Sequence, residues 1–169
     1  MLLLKATERN WGLIGPGDWD KHSWKINDDG WYEYKETFRS NSAEKLAEIL
    51  KAKGCPKVAM ADLTRDDQAE AVEDAFRYGK MAVLAASYDG GLFSPAYNFL
   101  HTLQMKAYQQ RRVALVENGS WAPSAGRVMK EMFAAMKAVE VAGPLVTIRS
   151  RMKAEDIPAL EALADALLA

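Results

Sequence analysis

Met81-Ala-Val-Leu-Ala-Ala-Ser-Tyr-Asp-Gly-Gly-Leu-Phe-Ser94 is the stretch that decides the fold. Met81 to Ala85 is apolar without alternation, the pattern of a strand buried on both faces rather than one lying on a surface. It runs into a loop carrying glycines and aromatics, Ala86 to Ser94. A helical pattern then starts near Pro95, a residue that suits a first helical turn because its missing N–H costs nothing there. The same unit recurs thirty residues on. Arg112-Val-Ala-Leu-Val116 is again an apolar strand, Glu117-Asn-Gly-Ser-Trp-Ala-Pro123 again a loop, and a helix comes after it. In an open parallel sheet, ligands sit beyond the carboxyl ends of the strands. Two such loops side by side predict a cofactor rim.

On either side of these units, the alternation of strand and helix holds from Ser42 to the end. Ser42 caps a helix with Ala43, Leu46, Ala47 and Leu50 on one face, ended by Gly54 before Pro56. Lys57 to Ala61 is a short strand. Asp66 or Asp67 opens a helix with Ala69, Val72 and Phe76 inward, closed near Gly79. The helix after Pro95 turns Phe99, Leu100 and Leu103 inward. After Pro123, the residues Ala125, Val128, Met129, Met132, Phe133 and Met136 form one apolar stripe. Pro144 to Ile148 is a last strand, and Glu155 to Leu168 a last helix with Ile157, Leu160, Ala164 and Leu167 inward. This order predicts an α/β fold, a doubly wound parallel sheet covered by helices on both faces.

Residues 1–40 obey another rule. They hold four of the five tryptophans and are broken by Gly12, Gly15, Pro16 and Gly17. Ser23 to Ile26 and Trp31 to Phe38, joined by Asn27-Asp-Asp-Gly30, read as a β-hairpin. The strict alternation of Trp31 to Phe38 marks a half-exposed strand, unlike a central parallel one. The expected organisation is therefore an N-terminal β-hairpin segment, 1–40, joined to a doubly wound domain, 41–169.

Composition removes several function classes. The chain of 169 residues is 49% apolar and 27% charged, with a net charge of −1, so no basic footprint for nucleic acid is present. Cys55 is the single cysteine, and His22 and His101 are the only histidines, which excludes an internal disulfide and cysteine- or histidine-rich metal sites. His22 beside Asp18 and Asp20 reads as polar loop, and His101 as a surface residue. Met1 to Leu4 is too short for a signal sequence, and no run approaches a membrane span, so a cytoplasmic location and no membrane contact are expected.

At this point the residues carry a resemblance. From about Ser42 to Ala169 the chain resembles the flavodoxin-like domain of A-type flavoproteins, the flavodiiron proteins. Ala86-Ser-Tyr-Asp-Gly-Gly-Leu-Phe93 is similar to that family's Ser-Pro-Thr-Tyr-Asn-Gly-Gly-Leu-Phe loop, although Ser87 here passes straight to Tyr88 without the Pro-Thr step. Glu117 to Pro123 is similar to its loop after the fourth strand. Lys57-Val-Ala-Met-Ala-Asp-Leu-Thr64 resembles its second strand and the segment after that strand. The likeness covers about three quarters of the chain.

The resemblance implies FMN. It assigns the ring to Ser87, Tyr88, Asp89, Gly90, Asn118, Gly119, Ser120 and Trp121, with Tyr88 and Trp121 as aromatic faces and the glycines allowing close backbone approach. Backbone groups in such loops tune the flavin's potential. The family's first strand and its phosphate loop are not found. The nearest candidate, Thr37-Phe-Arg-Ser-Asn-Ser42, reads better as a hairpin exit and helix cap. No His-x-Glu-x-Asp series exists, so di-iron chemistry is not carried over. Two functions stand: an FMN-binding electron-transfer module working with a redox partner protein, without catalytic residues, or a flavin-free flavodoxin-like remnant serving as an interaction or dimerisation module. A homo-oligomer is expected in either case.

Overall fold

A computed structural model describes Met1–Ala6, Trp24–Ile26, Tyr32–Tyr34 and residues 42–169. Its strands are β1 (Leu2–Ala6), β2 (Trp24–Ile26), β3 (Tyr32–Tyr34), β4 (Ala59–Asp62), β5 (Lys80–Tyr88), β6 (Gly91–Leu92), β7 (Arg111–Asn118), β8 (Val139–Val141) and β9 (Val146–Ile148). Its helices are α1 (Ser42–Ala52), α2 (Gln68–Arg77), α3 (Ser94–Met105), α4 (Ala125–Ala134) and α5 (Ile157–Leu168). The main sheet runs β4-β1-β5-β7-β8, every one of these neighbours parallel, with β9 continuing beside β7 and β6 folding back antiparallel on β5. This is the doubly wound order in which the second strand lies outside the first.

One expectation is corrected here. The first strand is present, and it is the very start of the chain. Leu2 to Lys5 pair with Ala59 to Asp62 on one side, and Leu2 to Ala6 with Met81 to Ala85 on the other. Three consecutive leucines are the continuous apolar run a strand between two neighbours requires. The sheet thus takes an interior member, the strand between β4 and β5, from the segment assigned to the N-terminal piece. Trp24–Ile26 and Tyr32–Tyr34 pair antiparallel in a separate two-stranded sheet. The turn between them, and all of Thr37-Phe-Arg-Ser-Asn41, lie outside the described residues.

The core has two layers because successive strand residues face opposite ways. Met81, Val83, Ala85, Val113 and Leu115 pack under α2, α3 and α4 with Phe99, Leu100, Leu103, Met129 and Phe133. Ala82, Leu84, Ala114 and Val116 pack under α1 and α5 with Leu46, Leu50, Leu160, Leu163 and Leu167. Local caps agree with the sequence: Asp67 accepts the Ala69 N–H at 2.8 Å to start α2. In α2 the inward residues are Ala71, Val72 and Ala75, whereas Ala69 is exposed and Phe76 is 37% exposed. Phe76 instead meets the buried Tyr108 edge-on, at 5.5 Å between ring centres.

The fifth position of the sheet is split. β8 pairs with the start of β7 and β9 with its end, so the strand expected over 144–148 has an upstream half at Val139–Val141. Between the halves, Gly143 takes a left-handed φ of 68°. Three residues of β7 advance from Val113 to Val116 while five pass from Val141 to Val146, so the edge bulges outward there. Among the described residues no helix is long and apolar enough to cross a membrane.

Candidate functional site

The innermost crossing of the sheet locates the site. α1, which comes after β1 in the chain order, packs on the α5 face, and α3, which comes after β5, on the opposite face. The winding therefore reverses between β1 and β5, and the carboxyl ends of strands at such a reversal are where an open α/β sheet takes a ligand. Both loops singled out from sequence border that end.

The first loop is itself a hairpin. Ser87 pairs with Leu92 and Tyr88 with Gly91, leaving only Asp89 and Gly90 in the turn. Both have positive φ, 50° and 70°, as a two-residue type I′ turn demands. Asp-Gly is a preferred pair for it. A Cβ on Gly90 would meet nothing within 4 Å, so the space above this turn is open.

Ser87 does not face outward. Its Oγ accepts the backbone N–H of Ser124 at 2.8 Å and of Ala125 at 3.0 Å, capping α4 from across the sheet end. Ser124 Oγ in turn donates to the Gly91 carbonyl at 2.8 Å. Hairpin and helix are stapled by two hydroxyls.

The second loop is equally fixed. Asn118 Nδ2 donates to the Ser150 carbonyl at 2.6 Å, Ser120 Oγ lies 2.8 Å from Ser150 Oγ, and Gly119 N–H donates to the Ile148 carbonyl at 3.2 Å. Gly119 is buried. A Cβ there would stand 2.9 Å from Pro123 Cα and 3.1 Å from Ser87 Oγ, so this glycine serves the close approach of protein to protein.

Beneath it lies Glu117, the one buried charged residue in the described core, 5% exposed. Its Oε2 accepts the Gly126 N–H at 2.7 Å and its Oε1 the Thr147 hydroxyl at 2.8 Å. Ser87 and Glu117 together take the first backbone donors of α4, which have no partner within the helix. A carboxylate is also favoured at the positive end of a helix.

The eight residues assigned from sequence thus divide. Tyr88, Asp89, Gly90, Ser120 and Trp121 are exposed, while Ser87, Asn118 and Gly119 face the protein and hold the two loops together. Tyr88 is 53% exposed and rests edge-on against Phe93, with ring centres 6.0 Å apart. Trp121 is 89% exposed and stacks on no other ring among the described residues. The two aromatics are not collapsed on each other. Glu117, Ser124, Thr147 and Ser150 do not emerge as site residues from sequence. Of these only Glu117 carries a signal, as an ionisable group directly continuing an apolar strand.

The described residues suit the ring of a flavin. Two exposed aromatic side chains and an open glycine turn stand on neighbouring strand ends, Ala86 being the register partner of Asn118. No cluster of three or more potential metal ligands occurs among the described residues.

Neither a family model nor any curated protein matches this chain. Solved structures do. The rubredoxin oxygen:oxidoreductase of Desulfovibrio gigas superposes with a TM-score of 0.73 at 13% identity, over 98% of this chain and 34% of that one. Flavodoxin 1 of Bacillus cereus gives 0.68 at 11% identity, over 99% of this chain and 96% of its own. The Flv1 flavodiiron core from Synechocystis gives 0.69 at 10%, over 98% and 34%. The chain spans about a third of the two larger proteins and nearly all of the flavodoxin. Identities this low establish the fold, which is flavodoxin-like.

Proposed function

We propose that the protein binds FMN and passes electrons through it to and from a redox partner protein. The observation that carries this reading is the pair Tyr88 and Trp121, uncovered and mutually unstacked on adjacent strand ends whose loops are pinned by hydrogen bonds. A flat apolar ring gains most from surfaces already held in place, because little ordering cost remains to be met on binding. When bound, the flavin supplies reversible electron transfer. Tyr88 and Trp121 would flank it, the Asp89-Gly90 turn would offer backbone to its polar edge, and Ser87, Asn118, Gly119 and Ser120 would keep the two loops in place. None of these side chains is assigned proton transfer.

Titrating the purified protein into FMN tests the reading. Binding appears as quenched flavin fluorescence and a yellow protein after gel filtration. A colourless protein that leaves FMN fluorescence unchanged would refute it.

The exposure of Trp121 also favours a second reading, a flavin-free interaction module. Tryptophan in a rigid loop is a common anchor of protein interfaces. A colourless protein that runs as a dimer in gel filtration, and as a monomer when Trp121→Ala is introduced, would support that alternative, including the expected homo-oligomer.

A further inference from the structure

α3 differs from the other helices in one respect. α1 and α2 carry four charged residues each, α4 three and α5 two. α3, Ser94-Pro-Ala-Tyr-Asn-Phe-Leu-His-Thr-Leu-Gln-Met105, carries none. Its inward side is ordinary core, with Ala96, Phe99, Leu100 and Leu103 buried. Its outward side bears Tyr97, His101 and Met105, spaced four residues apart and so aligned on one face. Tyr97 is 46% exposed and Met105 75%, and His101 between them is exposed as well.

A surface helix ordinarily turns charged residues to water. Here the nearby polar side chains are already engaged within the protein. The Thr102 hydroxyl donates to the Asn98 carbonyl at 2.9 Å, and Gln104 Nε2 to the Met132 carbonyl at 2.9 Å. The rings of Tyr97 and His101 are stacked, 8° from parallel with centres 6.3 Å apart. They hold each other in place, so less side-chain freedom is lost on contact. Tyrosine and methionine without lysine, glutamate or aspartate is the composition of an interface centre.

We infer that the outward face of α3 docks on the same face of a second copy of this chain, antiparallel, about a two-fold axis beside His101. Charge selects this occupant. Across a two-fold axis a face meets itself, so every charge on it faces its own like charge. A face with no charge avoids that cost. A redox partner is steered and oriented by complementary charges, and α3 offers none. With His101 at the centre, Tyr97 of each copy lies over Met105 of the other, a favourable sulfur–aromatic pairing made twice. Lys106, the next charge along the chain, falls beyond the last turn, at the rim. Neither Trp121 nor a flavin takes part in this contact. The face is about 18 Å long and 10 Å wide. That is well below the roughly 800 Å² per partner of a standard interface, so the dimer is weak, with Kd on the order of 100 μM.

Sedimentation velocity on wild type, His101→Glu and His101→Lys tests the contact. Wild type should be mostly dimeric at about 1 mM, roughly tenfold above that Kd. Each variant alone sets like charges against each other at the axis and should dimerise at least about tenfold more weakly. An equimolar mixture of the two sets opposite charges there and should dimerise at least as well as wild type. His101 is exposed, so neither substitution enters the core, and circular dichroism should match wild type. Trp121→Ala should leave the dimer unchanged. A wild type that stays monomeric at about 1 mM would overturn the inference. So would single variants that dimerise like wild type, a mixture that stays monomeric, or loss of the dimer in Trp121→Ala. Quenching of FMN by the wild type decides the reading above separately.

Discussion

Ser87 Oγ and the Ser124 backbone N–H, thirty-seven residues apart in sequence, meet at 2.8 Å and join the end of β5 to the start of α4. The bond is one half of an exchange, since Ser124 Oγ reaches back to Gly91 at 2.8 Å. Ser87, which the family resemblance places among flavin-binding residues, caps the N-terminus of a helix from another part of the chain. Its hydroxyl replaces the local cap that α4 lacks, as Ser124 makes no side-chain capping bond of its own.

Removing that hydroxyl should therefore cost stability first. Ser87→Ala leaves two helix N–H groups without an acceptor and is expected to destabilise the fold by about 1–2 kcal/mol. For a chain of this size each 1 kcal/mol lowers Tm by about 2–4 °C. Thermal unfolding by circular dichroism checks it, and an unchanged Tm would contradict the assigned role.

Two glycines should respond to alanine in opposite senses. At Gly119 a new Cβ would press on Pro123 Cα at 2.9 Å, and backbone does not yield cheaply, so a loss of about 1–3 kcal/mol is expected. Gly79 has nothing within 4 Å of such a Cβ and no left-handed φ. Gly79→Ala should be neutral or stabilising by up to about 1 kcal/mol, because it reduces the freedom of the unfolded chain. Paired urea titrations give both numbers.

Trp121→Ala separates binding from folding. At 89% exposure the indole contributes little to the core, and stability should stay within about 0.5 kcal/mol of wild type. FMN affinity should fall by about tenfold, the worth of one aromatic stacking contact of about 1.5 kcal/mol. An FMN titration that does not distinguish the two proteins would remove Trp121 from the site.

Tyr108 predicts an alkaline weakness. Its hydroxyl is buried without a hydrogen-bond partner, and burial pushes its pKa up to about 12 from 10.0, against a smaller opposing effect of Arg111. A raised phenol pKa means the folded state keeps its proton where the unfolded chain loses it. Stability is thus unaffected by this group below pH 10 and declines as pH rises from 10 toward 12. Tyr108→Phe should flatten that decline. At neutral pH it should be neutral or stabilising, since the phenol makes no hydrogen bond to lose. A steeper alkaline loss in the variant would refute the assignment.

Most of the fold is legible in the sequence because its signals are local. Asp67 before an amphipathic run, Pro95 in a first turn and the unbroken apolar strands at Met81 and Val113 each act through neighbours in sequence. β1 escapes such a reading although its signal is strong: Leu2-Leu3-Leu4 is as apolar as any strand here. It stands far from its helix, with residues 7–41 between them, and so lacks the strand–loop–helix spacing that marks the others. β8 escapes for a related reason, as a three-residue strand carrying Glu140 gives no run long enough to read.

Local sequence was enough to set the alternation of strands and helices, the buried faces of most helices and the two loops at the strand ends, because periodicity and capping depend on residues a few positions apart. The work those loops do was settled only on assembly of the fold. Ser87, Asn118 and Gly119 turn inward because helix ends and strand ends leave donors and acceptors that have to be met, and their partners Ser124, Ser150 and Pro123 come from other segments. Glu117 becomes buried with a hydrogen bond to each side-chain oxygen for the same reason, since its partners Gly126 and Thr147 arrive only when α4 and β9 pack against β7. Hydrogen-bond satisfaction on burial is a property of the assembled sheet, and no stretch of the chain contains it alone.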